Sequence, residues 1–199
     1  MYEKFGISKD IIELAKQVEE EIKPEFEKVD KIKEENSLKV LMACQKYNLS
    51  DMHFGSTTGY GYGDIGRDTI EKIFAEVLGA EDSLVRNQFI SGTHALTVAL
   101  FSMLRPGDTM LSINGKPYDT LDEVIGIVEN KSSLKSYGVK YEQIDLIKDD
   151  FDTEKIIERV KQGNVKLICM QRSRGYALRK SLSLESIKNI INKIREVNK

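Results

Sequence analysis

The sequence predicts an α/β protein in which a mostly parallel sheet, covered by helices on both faces, follows an N-terminal helical arm. Three observations carry this expectation. From Asp68 onward, short apolar runs alternate with segments of helical periodicity, the rhythm of successive βα units. Turn chemistry falls between those segments, at Gly79, Ser91-Gly92-Thr93, Arg105-Pro106-Gly107-Asp108 and Gly138. Ahead of them the composition changes sharply at Ser50, where charged helical patterns give way to a stretch rich in Gly, Ser, Thr and Tyr.

Residues 8–22 place Ile11, Ile12, Leu14, Ala15, Val18 and Ile22 near helical spacing, with Ser8 as an N-cap. Pro24 is expected to break this helix and open a second one, which carries Phe26, Val29, Ile32, Val40, Leu41 and Met42. Both helices are polar on one side and need a surface to lie against: the main domain, a second subunit or, as an independent alternative, a coiled coil. The stretch SDMHFGSTTGYGYGDIGRDT reads as loop. A helix over 68–78 stops at Gly79, Ser83–Ile90 is a strand, and Thr93–Leu104 is a helix. Thr109–Ile113 is a short strand, Leu121–Val128 a helix, and Val139–Ile147 a strand. Thr153–Val160 is a helix capped by Asp152, Val165–Met170 a strand, and Leu182–Val197 an amphipathic helix. The βα rhythm leads one to expect a further strand after that helix. An ending at Lys199 therefore suggests a chain cut inside a larger domain.

Charge and composition exclude several classes of function. Thirty Lys and Arg against 32 Asp and Glu give a net charge of −2, which favours neither nucleic acid nor a membrane surface. There is no apolar run of membrane-spanning length and no signal-peptide pattern, so a soluble, cytoplasmic protein is expected. Cys44 and Cys169 lack CxxC spacing and sit among apolar neighbours, as reduced core cysteines do. Two isolated histidines give no metal-ligand spacing.

The chemistry-bearing stretch is SLVRNQFISGTHALTVALFSML, residues 83–104. A strand that enters a helix through Ser91-Gly92-Thr93 leaves the first helical N–H groups unpaired, at the positive end of the helix dipole. That is an anion pocket, and without the lysine of a GxxxxGK[ST] motif it suits a cofactor phosphate better than a nucleoside triphosphate. Helix capping by Ser91 and Thr93 is the plainer alternative. Gly61-Tyr62-Gly63-Asp64-Ile65-Gly66 satisfies GxGxxG, but Ser56-Thr57-Thr58 stands where the dinucleotide fingerprint needs an apolar strand. Two loops following strands carry unusual residues. Asn114–Asp119 could hold the Tyr118 ring over a planar ligand, and Gln171–Tyr176 offers Arg172 and Arg174 to an anion.

Taken together, GYGYGDIGRDT, QFISGTHAL, GKPYDTLDEVIG and QRSRGYALRKSL resemble a fold-type I pyridoxal-phosphate (PLP) enzyme of the cystathionine/methionine gamma-lyase family. The particular set is similar to its aluminium-resistance branch. The resemblance covers essentially the whole chain and implies a helical arm over 1–55, with 56–199 as the N-terminal part of the large PLP-binding domain. It implies PLP as cofactor and γ- or β-elimination of a carbon–sulfur bond in a small amino-acid substrate such as methionine or cystathionine. In this family the residues matching Ser91, Gly92 and Thr93 hold the cofactor phosphate. Tyr118 matches the tyrosine that stacks on the pyridine ring and moves protons. Tyr60 or Tyr62, with Arg67, resembles the pair that reaches the phosphate of a neighbouring subunit, which implies a homo-oligomer. Ser173 and Arg174 fall where the ring's O3′ side is approached. The family's aspartate for the pyridine nitrogen and its cofactor-binding lysine have no match, and Lys116 does not stand at the lysine's place. The resemblance thus implies a lyase that is incomplete as it stands; the alternative is a catalytically silent chain that associates with a homologous or complementary one.

Overall fold

The computed structural model describes residues 2–58 and 63–198. The chain forms two compact units, Met1–Asn87 and Gln88–Lys199.

In the first unit α1 (Lys9–Lys46) is one continuous helix of 38 residues. The expected break at Pro24 does not occur, because Pro24 lies inside the helix. Proline removes one i→i−4 hydrogen bond and crowds the carbonyl one turn back. Here the residues around it are exposed, so solvent can satisfy that carbonyl while good helix formers on both sides carry the helix on. The apolar stripe Ile11, Leu14, Val18, Ile22, Phe26 and Val29 is exposed. Burial begins at Ala43, in the part of α1 that packs with α2 (Ile65–Leu78). There Lys46 Nζ pairs with Glu76 at 2.6 Å.

Helix α2 starts three residues earlier than expected because Asp64 caps it, its carboxylate accepting the Arg67 N–H at 2.9 Å. That bond, with the Thr57 hydroxyl, holds the Asp64 carboxyl below its usual range. A Cβ at Gly66 would lie 2.7 Å from the His53 carbonyl oxygen, so this glycine lets the first turn of α2 rest against the short helical turn Asp51–Phe54. The helix ends as expected at Gly79, whose φ of +66° is the left-handed cap that glycine adopts without strain.

The expected strand Ser83–Ile90 is not formed. A strand needs a main-chain partner, and here the main chain is tied to a side chain instead. The Val85 N–H donates to the Glu71 carboxylate at 3.1 Å, the Arg86 guanidinium pairs with it at 2.7 Å, and the Ser83 hydroxyl donates to the Glu71 carbonyl at 2.6 Å. Leu84 and Ile90, the apolar residues that suggested a strand, are both exposed.

The second unit is the α/β layer. In chain order it holds α3 (Gly92–Met103), β1 (Thr109–Ser112), α4 (Asp122–Ile125), β2 (Lys140–Gln143), α5 (Thr153–Lys161), β3 (Val165–Cys169) and α6 (Leu184–Val197). The three strands are parallel in the order β2-β1-β3, with Thr109 opposite Lys140 and Ser112 opposite both Gln143 and Cys169. Central β1 is buried throughout, and the period-two alternation of its side chains feeds two cores. Leu111 and Ile113 join Ile156, Val160, Leu182 and Ile190 beneath α5 and α6. Met110 joins Leu100, Leu104, Leu121, Ile125, Leu134 and Val139 beneath α3 and α4.

The helix expected over Leu121–Val128 is shorter: a turn of 3₁₀ helix at Asp119–Leu121 leads into α4, which ends at Gly126 with φ +95°. A Cβ there would meet Ser133 Oγ and Lys135 Cβ at 2.7 Å, so the chain must turn rather than continue helically. The second strand is also shorter than the expected Val139–Ile147: its register with β1 ends at Gln143 opposite Ser112, the last residue of β1, whose carbonyl accepts one more bond, from the Ile144 N–H at 2.8 Å.

Tyr141, on β2, packs against the second core with its phenol pushed up to about 12, chiefly by burial and then by the charges of Cys169, Asp122 and Asp145. In the unfolded chain the same group ionises near 10. Its neutral form therefore supports the fold fully below pH ~10, and that support is lost as the pH rises through ~12. Tyr141→Phe is expected to flatten this part of the alkaline unfolding curve, measured by circular dichroism against pH.

Candidate functional site

The carboxyl ends of parallel strands are where α/β layers collect loops and bind ligands. Here those ends carry residues 113–118 after β1 and residues 170–183 after β3.

Helix α3 begins at the same region. Ser91 has extended backbone, and its hydroxyl oxygen accepts the His94 N–H at 3.1 Å, so the capping role is real. The Ser91 carbonyl accepts the Ala95 N–H at 3.1 Å. The N–H groups of Gly92 and Thr93 have no acceptor among the described residues, and a Cβ on Gly92 would meet nothing within 4 Å. Two free donors at the positive end of a helix can cradle an anion. His94 packs edge-on against Phe89, with ring centroids 5.7 Å apart. Its Nδ1 is buried without a hydrogen-bond partner.

The Thr93 hydroxyl donates to the Thr120 hydroxyl at 3.0 Å. This bond joins the α3 turn to the segment that carries Tyr118. Tyr118 precedes the 3₁₀ turn, its carbonyl accepting the Leu121 N–H at 2.9 Å and its N–H donating to Gln171 Oε1 at 2.7 Å. The ring is partly open to solvent, and a Cβ built on Gly175 would lie 3.6 Å from its edge. Hydrogen bonding to Tyr176 is the main influence holding the Tyr118 phenol above its ordinary range, and the charges of Tyr176 and Asp119 add to it. At neutral pH the phenol keeps its proton, the form able to act as an acid.

Tyr118 lines a cleft of about 300 Å³ together with Asn114, Gln171, Ser173, Arg174 and Tyr176. Ser173 and Arg174 thus stand at the same cleft as Tyr118, but both are engaged within their own loop. The Ser173 hydroxyl oxygen accepts the Gly175 N–H at 3.2 Å, and the Arg174 guanidinium donates to the Arg179 carbonyl at 3.0 Å. Lys116, also at the cleft, is committed to Asp122 by a 2.7 Å ion pair. Arg67 belongs to the other unit, on the first turn of α2, where it pairs with Asp68 at 3.3 Å. Tyr60 and Tyr62 lie outside the described residues.

Sequence reasoning gave no role to Asn114 and Gln171, which tie the two strand-end loops together. The Asn114 amide donates to the Gln171 carbonyl at 2.5 Å and accepts the Gln171 N–H at 3.1 Å. The available signal was a polar amide directly beyond each of two neighbouring strands.

The family model described as methionine gamma-lyase matches residues 11–199. The uncharacterized protein YnbB of Bacillus subtilis (strain 168) is 46% identical over 189 residues, which is 92% of this chain and 44% of YnbB. Among solved structures, a candidate cystathionine beta-lyase involved in aluminum resistance from Clostridium acetobutylicum superposes with a TM-score of 0.93 at 44% identity, covering 99% of this chain and 47% of that one. A carbon-sulfur lyase involved in aluminum resistance from Clostridium novyi NT gives a TM-score of 0.91 at 42% identity, covering 98% and 47%. The chain therefore spans about half the length of the relatives it matches. A family match that runs from residue 11 to residue 199 shows that the chain belongs to the methionine gamma-lyase family.

Proposed function

We propose that the chain serves a PLP-dependent carbon–sulfur lyase of fold type I, acting by γ- or β-elimination on a sulfur amino acid such as methionine or cystathionine. The single observation that supports this most is the Thr93–Thr120 hydrogen bond. It ties the helix turn that carries two free N–H donors, a phosphate's partners, to the segment that carries a partly exposed tyrosine, a pyridine's partner. The residues fit the cofactor: Gly92 and Thr93 donate to its phosphate, open space at Gly92 admits it, and Tyr118 lies against its ring. When bound, PLP supplies an electron sink for the bond-breaking step. Tyr118, a phenol that carries its proton at neutral pH, is the group on this chain proposed to protonate a leaving sulfur. Ser173 and Arg174 are proposed to border the ring's O3′ side.

Among the described residues that line the cleft the one lysine is Lys116, which is paired with Asp122. Turnover is therefore proposed to need groups beyond those this chain assembles. Arg67, with Tyr60 or Tyr62, is proposed to serve the phosphate of a neighbouring copy in a homo-oligomer. The exposed apolar residues of α1 and α3, among them Leu14, Val29 and Leu96, support association with another chain. Among the described residues no helix is long and apolar enough to cross a membrane. Both cysteines are free, which suits a reducing cytoplasm.

The stacking role is tested with pyridoxamine 5′-phosphate, which lacks the aldehyde that would react with surface lysines. Tyr118→Ala is expected to weaken its binding about tenfold or more, whereas Tyr118→Phe stays within about twofold because the ring remains. Equal affinities for Tyr118→Ala and the unaltered chain in calorimetric titration would refute the stacking role. Supplied with PLP and cystathionine, the chain alone is expected to release no 2-oxo acid over repeated turnovers; sustained release would contradict its dependence on further groups.

A further inference from the structure

We propose that Gln171, itself held by Asn114, is the positioning residue for Tyr118, fixing at the cleft the main chain that carries the aromatic ring before any ligand arrives. The inference rests on the reading of Tyr118 as the ring that stacks on the cofactor.

The two loops at the cleft leave neighbouring parallel strands, β1 and β3. Asn114 engages both main-chain groups of Gln171, donating to its carbonyl at 2.5 Å and accepting its N–H at 3.1 Å. That reciprocal pair does beyond the strands what ladder bonds do within them, and it leaves the Gln171 side chain as the free end of a fixed residue. Its Oε1 accepts the Tyr118 N–H at 2.7 Å. The same segment is tied at other points. The Ser112 hydroxyl donates to the Gly115 carbonyl at 2.6 Å, and the Gly115 N–H donates to the Ile144 carbonyl at 2.9 Å, just beyond β2. The Tyr118 loop is thus anchored at the ends of all three strands, and the Gln171 bond falls on the aromatic residue itself.

Solvent could satisfy these groups at an open cleft, so their pairing is not forced by burial. What the clasp provides is preorganisation. A loose tyrosine would have to be ordered during binding, and a held one would not. Removal of the Gln171 acceptor should therefore appear as a loss of affinity, with little change in the stability of the sheet beneath.

The test uses the whole chain with Gln171→Met, which keeps the shape and removes the acceptor, and Gln171→Glu, which keeps an acceptor. Asn114→Leu serves as an independent variant that removes both bonds to the Gln171 main chain without adding charge. In the ligand-free chain, hydrogen exchange at the Tyr118 amide is expected to quicken about tenfold or more in Gln171→Met and to stay slow in Gln171→Glu. The thermal midpoint should remain within about 2 °C in both. With pyridoxamine 5′-phosphate, Gln171→Met and Asn114→Leu are expected to bind about fivefold more weakly, with a smaller induced circular-dichroism band. Unchanged exchange in Gln171→Met overturns the proposal, as does faster exchange with unchanged affinity and band, which would mark an ordinary loop tie. If the unaltered chain binds no pyridoxamine 5′-phosphate, the cofactor reading fails and the positioning role falls with it. If that chain binds and Gln171→Met binds equally well, the positioning role fails alone.

Discussion

Gly92→Asp is expected to lower the affinity for pyridoxamine 5′-phosphate on the order of 100-fold while leaving the fold as stable as before, or slightly more so. The substitution sets a carboxylate at the first turn of α3, beside the free N–H groups of Gly92 and Thr93. Repulsion between that charge and a phosphate a few ångströms away amounts to about 2–3 kcal/mol at the effective dielectric of a protein surface. An acidic residue in the first turn of a helix is otherwise favourable, by about 0.3–1 kcal/mol. Binding and stability should thus move in opposite directions, which a damaged fold cannot imitate. Gly92→Ala is the control: its Cβ meets nothing within 4 Å, and affinity should stay within a few-fold. Calorimetric titration reads the binding, and thermal unfolding reads the stability. Unchanged affinity in Gly92→Asp would place the phosphate elsewhere.

Leu111→Ala should produce the largest loss of stability in the Gln88–Lys199 unit, about 2–5 kcal/mol. Leu111 is 0% exposed, on the central strand, in the core shared with Ile156 and Ile190. Hydrogen-bonded strands lie on either side of it, so the surrounding residues have little freedom to collapse into the space left by three deleted carbons. The chain has no tryptophan, so urea unfolding is best followed by far-ultraviolet circular dichroism. The transition midpoint should fall with little change in slope, because the surface exposed on unfolding is nearly the same. A loss below about 1 kcal/mol would mean that β1 is not the centre of the core.

The elements legible in the sequence were those fixed by local chemistry. Gly79 ends α2 because only a left-handed residue closes that turn, and Ser91, Asp152 and Ser183 accept N–H groups at the starts of α3, α5 and α6. The misread elements depended on partners that local pattern cannot supply. Ser83–Ile90 has the composition of a strand, but Glu71, twelve or more residues earlier, takes its hydrogen bonds. Pro24 punctuates a helix in most settings, yet an exposed helix can leave one carbonyl to solvent.

The candidate site divides in the same way. The α3 turn and Tyr118 could be picked out because each is an unusual local motif. The link between their segments is the Thr93–Thr120 bond across the loops, which the spacing of residues does not reveal. The Asn114–Gln171 clasp spans 57 residues, and two ordinary amides gave little reason to single them out.

The central claim is that the α3 turn holds a phosphate next to the Tyr118 ring. It is tested most directly by titrating the chain with pyridoxamine 5′-phosphate and, separately, with pyridoxamine, two ligands that differ only in the phosphate group. The phosphorylated ligand is expected to bind at least about 100-fold more tightly, as charge-assisted hydrogen bonds from two main-chain donors at a helix terminus would give, and inorganic phosphate should compete with it. Equal affinities for the two ligands, or binding indifferent to inorganic phosphate, would contradict the claim.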